Sequence, residues 1–150
     1  MKMKSREIEK KLSGLLNLKD KTFPREMSYA ISRNIENLTK EYERIGKERI
    51  DICELYAKKD KDGNAITETT VKKNQYGQEV KETNYVFESP EDERMCTKDY
   101  QEVLETETDI SIFTITLEMF EKCEEVDRYS VPTVGEEAAL IFMTEEAKKK

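Results

Sequence analysis

The chain has no histidine and no tryptophan among its 150 residues, and only five glycines, three prolines and three cysteines. Without histidine there is no Ser-His or Cys-His nucleophile pair and no His-containing zinc set. The five glycines compose neither G-x-G-x-x-G nor G-x-x-x-x-G-K-[ST], which excludes nucleotide binding through those phosphate cradles. Cys53, Cys96 and Cys123 lie far apart in sequence with no C-x-x-C, so reduced, idle thiols are expected and no metal site. No apolar run approaches the roughly 20 residues of a membrane span, and Met1 to Ser5 leads into an amphipathic helix without a signal-peptide core. A chain that stays in the cytoplasm where it is made, without membrane contact, is expected.

What is present is charge and periodicity. Charged residues make up 39% of the chain and hydrophobic ones 36%, but the apolar residues recur at regular spacing, which marks a folded protein and not a disordered one. At this length a single domain is expected, burying roughly 70% of its unfolded surface. Residues 1–75 carry a net +5 and residues 76–150 a net −12, which together make the −7 of the whole. An acidic half of that size disfavours general nucleic-acid binding, because phosphate neutralisation needs a concentrated basic surface.

The clearest periodic run extends from Phe23 to Tyr56. Met27, Ile31, Ile35, Leu38, Tyr42, Ile45, Ile52 and Tyr56 alternate at three and four residues, with only Arg49 interrupting. That spacing predicts a long helix with a seam for another helix. Ile8, Leu12, Leu15 and Leu16 predict a first helix from Ser5 to about Leu18, and the short link, with Thr22 as a cap and Pro24 in the first turn, predicts an antiparallel helical hairpin over residues 5–57. Gly46 in the long helix either admits a close neighbour or is simply tolerated.

Ala65 to Lys73 and Gln78 to Phe87 are rich in Thr, Val and Tyr and flank Asn74-Gln75-Tyr76-Gly77, which predicts a β-hairpin over residues 65–87. Its apolar content is too thin for independent stability. Ser89-Pro90-Glu91-Asp92 opens a third helix with Met95, Tyr100, Val103 and Leu104 inward. A strand is expected over Asp109 to Thr116, a short helix over Leu117 to Cys123 with Leu117 and Phe120 buried, and a last helix entered through the capping box Thr133 to Glu136. That helix carries Val134, Ala138, Ile141 and Phe142 on one side and runs towards Lys148-Lys149-Lys150, which complement its dipole. The fold class is α+β: a long helical hairpin, a β-hairpin, and a helix-strand-helix segment over residues 89–147.

Candidate chemistry is sparse. Asp60 to Asn64 has the look of a calcium loop, but counting from Gly63 puts Lys58 and Thr69 where an Asp and a bidentate Glu are required. Glu102, Glu105, Glu107 and Asp109, and Glu118 to Glu125, sit in continuous acidic surroundings with nothing to split their pKa values, so they read as solvated faces. No cofactor and no enzyme activity are expected.

The segment order resembles a family of small, functionally uncharacterised proteins of tailed phages and prophages of Gram-positive bacteria. The matching stretches are Leu15-Leu16-Asn17-Leu18, Phe23-Pro24, Tyr29 to Ile35, Glu54 to Asp60, Tyr100 to Leu104, Asp109 to Ile112 and Gly135 to Met143. The resemblance implies a phage origin and a life in the cytoplasm of an infected bacterium, and it carries over no catalytic motif. The expected function is that of a non-enzymatic accessory protein that binds a bacterial protein such as a defence factor, or sequesters a small signal molecule. The alternative is a virion or assembly component that uses the long helix for docking or homo-oligomerisation. The expected binding residues are Tyr42, Arg44, Arg49 and Tyr56 on the long helix with Tyr76 and Tyr85 on the hairpin, since Arg and Tyr supply much of the energy at interfaces.

Overall fold

The computed structural model describes residues 1–144, and the lysines 148–150 and the end of the expected last helix lie outside them. The elements are β1 (Lys2–Lys4), α1 (Ser5–Leu16), α2 (Arg25–Tyr56), β2 (Thr67–Lys73), β3 (Glu79–Tyr85), α3 (Pro90–Glu105), β4 (Glu107–Asp109), α4 (Leu117–Glu125) and α5 (Val134–Leu140), ending in a 3₁₀ turn at Ile141–Met143. The class is α+β, with one long helix, two small antiparallel sheets and shorter helices towards the carboxy terminus. The chain divides into two compact units, Met1–Arg44 with Glu105 onward, and Ile45–Leu104.

In the first unit β1 pairs antiparallel with β4, Lys2 opposite Asp109 and Lys4 opposite Glu107. This small sheet brings early cations to late anions: the terminal ammonium meets Asp109 at 2.9 Å, Lys4 meets Glu105 at 2.8 Å, and Arg6 also pairs with Glu105. The opposed charges of the two halves of the sequence are thus partly mutual. Ile8, Leu12 and Leu15 of α1 are buried with Leu18, Phe23, Met27 and Ile31. Gly14 lies where an added Cβ would come within 3.1 Å of the Ala139 side chain, so the close-approach glycine is on α1 against α5. Gly46 faces open space.

The long helix buries Met27, Ala30, Ile31, Asn34, Leu38, Ile45 and Cys53, and Ala57 just beyond its end is buried too. Tyr42, a member of the expected seam, is exposed. Ile35, Ile52 and Tyr56 are half-buried.

The segment expected to be a strand over Asp109 to Thr116 enters a sheet only at Asp109. Ile110, Ile112 and Ile115 are buried as expected of an apolar extended run. Their backbone is held by side chains of α2: Asn34 donates from Nδ2 to the Phe113 carbonyl at 2.9 Å and accepts the Phe113 N–H on Oδ1 at 2.7 Å. Asn37 Nδ2 donates to the Ser111 carbonyl at 2.9 Å, and the Ile115 N–H donates to the Met143 carbonyl at 2.9 Å. A carboxamide presents the same donor and acceptor as a peptide group, so the segment needs no neighbouring strand.

The Thr133–Glu136 capping box is present, with reciprocal bonds of 3.2 and 3.0 Å. Beyond it the expected apolar side does not hold: Val134 is 87% exposed, Ala138 and Ile141 are also exposed, and the buried residues are Leu140, Phe142 and Met143. The α-helix tightens to a 3₁₀ turn after Leu140, in which Phe142 and Met143 are the buried residues. In α4, Leu117 is exposed, Phe120 is half-buried and Cys123 is the buried residue.

In the second unit the hairpin runs in register from Thr67 opposite Tyr85 to Lys73 opposite Glu79. Its root is tied to the backbone just after α2, where the Lys58 N–H donates to the Val86 carbonyl and the Ile66 N–H to the Lys58 carbonyl, both at 2.8 Å. α3 starts at Pro90 as expected, with Ser89 Oγ accepting the Asp92 N–H at 3.2 Å. Its fully buried residue is Cys96, while Met95, Tyr100, Val103 and Leu104 are half-buried.

Candidate partner-binding surface

The hairpin offers both faces to solvent. Of the residues in β2 and β3, only Thr70 and Tyr85 are less than exposed, and a two-stranded ribbon with no covered face gains little from burial. Alternation puts Val71 on one face and Val80 on the other, 57% and 46% exposed. Thr69 and Thr83 share a cross-strand hydroxyl bond of 3.3 Å, and Lys72 pairs with Glu82 at 2.9 Å.

The tip is more ordered than its exposure suggests. Asn74 Oδ1 accepts the N–H groups of both Tyr76 and Gln78, at 2.9 and 3.0 Å, and the Gly77 N–H returns to the Asn74 carbonyl at 3.0 Å. Gly77 takes φ 76°, the left-handed conformation that closes the loop and that a side chain would strain. Tyr76 is therefore held on a braced turn with 77% of its surface exposed. An exposed aromatic ring on a backbone already fixed in its turn has the properties of an interface anchor.

The other expected binding residues are more committed. In the second unit, Tyr56 donates its hydroxyl to Asp99 at 2.6 Å, and this bond raises its pKa above the ordinary tyrosine value. Arg49 lies over the Tyr100 ring at 5.9 Å. Tyr85, at the root of the hairpin, is half-buried, and burial followed by the nearby Glu54 raises its pKa. In the first unit, Arg44 pairs with Glu41 at 2.8 Å and reaches the Thr108 hydroxyl at 3.4 Å, while Tyr42 is exposed. Of the six, Tyr76 presents the most accessible ring, and the structure adds the exposed Val71 and Val80 on the two faces of the same hairpin. Valine in an alternating strand reads from sequence as inward-facing, which is why these two were missed.

Asp60 Oδ1 accepts the N–H groups of Asp62 and Asn64 at 2.9 and 3.0 Å, making the loop before the hairpin a self-bonded turn. Among the described residues no three His, Cys, Asp or Glu side chains converge as a metal site, and no helix is long and apolar enough to cross a membrane. No protein-family profile, curated protein or solved structure matches this chain.

Proposed function

We propose that this chain is a non-enzymatic phage accessory protein that works by binding a bacterial protein, such as a defence factor, in the cytoplasm of the infected cell. The observation that carries the reading is the hairpin: a ribbon exposed on both faces, with a braced tyrosine at its tip and valines on its flanks. It contributes little to the stability of its own unit, and its form suits a partner that packs on Tyr76 or adds a strand to one of its edges. The phage origin rests on the sequence resemblance.

The test is a tagged copy isolated from infected cells, with partners identified by mass spectrometry and binding re-measured with purified components. Tyr76→Ala should weaken binding of the identified partner at least tenfold, and replacing residues 67–85 by a short Gly-Ser linker should abolish it. Both variants should keep the helical circular dichroism of the parent. Undiminished binding by the linker variant would refute the hairpin as the site, and recovery with virion proteins alone would favour an assembly role.

A further inference from the structure

Cys53 on α2 and Cys96 on α3 are 43 residues apart in sequence, yet their sulfurs lie 3.7 Å from one another and both side chains are buried. We infer that Cys53 and Cys96 form a latent disulfide site, closed by hydroperoxides, that staples α2 to α3 across the insertion bearing the hairpin.

The geometry demands little. A disulfide has a sulfur separation of about 2.05 Å, so from 3.7 Å each sulfur has to move by less than about 1 Å. The chemistry balances with hydrogen peroxide as oxidant. One cysteine, as thiolate, attacks a peroxide oxygen; the O–O bond breaks, hydroxide leaves, and a sulfenic acid remains. The second thiol then attacks that sulfur, the S–S bond forms, and the sulfenic oxygen leaves as water. Two thiols and one peroxide become one disulfide and two waters. With the second sulfur already in contact, the sulfenic acid is captured before a further peroxide can carry it to the sulfinic state.

Burial pushes the Cys96 thiol up to about 11, with the contact to Cys53 adding to the shift and Arg49 opposing it. Cys96 is therefore slow to act as the attacking thiolate at neutral pH. The same burial leaves no strong stabilisation of a reduced thiolate, so the bond once made behaves as a structural crosslink. Cys123 is the internal control: its sulfur lies 3.2 Å from the Met119 carbonyl and 4.0 Å from the Met27 thioether, which cannot form a disulfide. The site is independent of what the hairpin binds.

The full chain is treated with hydrogen peroxide, and the remaining thiols are alkylated in denaturant and mapped by mass spectrometry. Expected are a single Cys53–Cys96 crosslink, alkylation at Cys123, and a melting temperature raised by roughly 5–15 °C that falls back on reduction. Cys123→Ser should preserve the crosslink and the shift, and the Cys53→Ser/Cys96→Ser double variant should lack both. Alkylation of both Cys53 and Cys96 after peroxide treatment that fully crosslinks the unfolded chain would overturn the inference. So would sulfinic acid at either residue without a crosslink, or a crosslink that lowers the melting temperature.

Discussion

Replacing Asn34 by Ala tests the most unusual contact in the first unit, a helix side chain standing in for a neighbouring strand. The Asn34 side chain is fully buried, and both ends of its carboxamide are bonded to Phe113, at 2.9 and 2.7 Å. Alanine removes two hydrogen bonds worth about 0.5–1.5 kcal/mol each and strands a backbone N–H and C=O, at about 1–3 kcal/mol for each group kept from water. Phe113 is half-buried, so water recovers part of that loss, and alanine's better helix propensity returns at most about 0.7 kcal/mol. The net expectation is a destabilisation of about 2–4 kcal/mol, or roughly 5–15 °C in melting temperature for a chain of this size. Urea unfolding followed by circular dichroism measures it, and hydrogen exchange at the Phe113 amide locates it. Asn34→Asp sharpens the test. The carboxylate still accepts the Phe113 N–H but turns a second acceptor towards the Phe113 carbonyl, and protonation restores a donor. The aspartate variant should therefore regain stability relative to wild type as pH falls, because its folded-state pKa is raised: the penalty is complete above that raised value and is lost as pH falls from it towards the ordinary carboxylate range. Asn37→Ala, which removes one bond at the surface, should cost about 0.5–1 kcal/mol. A loss below about 0.5 kcal/mol in Asn34→Ala would refute the claim that this carboxamide holds the extended segment.

Gly46→Ala should stabilise the chain by about 0.5–1 kcal/mol, since the added methyl meets open space, whereas Gly14→Val should destabilise it by forcing α1 away from Ala139; equal effects in a thermal melt would contradict the packing. Ile45→Asp buries an unpaired charge at a position 6% exposed and should lower stability by at least about 3 kcal/mol, so an unchanged urea midpoint would show that this face of α2 is open. Glu105 is held below the ordinary carboxylate range by its hydrogen bond from Lys4, aided by Arg6, and Asp109 by the terminal ammonium. Because these folded-state values are lowered, their stabilisation is complete above the ordinary carboxylate range and is lost as pH falls through the lowered values, below about pH 4. Glu105→Gln should flatten that acid limb in melts collected from pH 6 to pH 2, and an identical limb would remove the Lys4–Glu105–Arg6 group from the account.

Local signals in the sequence located the elements whose causes are local. Pro24 and Ser89-Pro90 start helices, Thr133 and Glu136 close a capping box, and Asn74 with Gly77 turns a hairpin, each through bonds spanning a few residues. Composition likewise excluded histidine chemistry and glycine-rich phosphate loops, because a residue type that is absent cannot act. Which side of an element faces inward was less legible. Tyr42 belongs to the apolar repeat of α2 and yet is exposed, because burial along a helix depends on which elements cover it and not on its own period. In α5 likewise Val134 and Ala138, and Ile141 just after it, are exposed although the sequence pattern puts them on one apolar side. Beyond the reach of the sequence were the pairings between distant segments: β1 with β4, Asn34 with Phe113, and Cys53 with Cys96. A polar residue on an apolar stripe, or a cysteine on a helix face, carries no record of its partner. Only the folded chain brings Phe113 to Asn34 and Cys96 to Cys53, because the long-range burial that sets those contacts depends on every element at once.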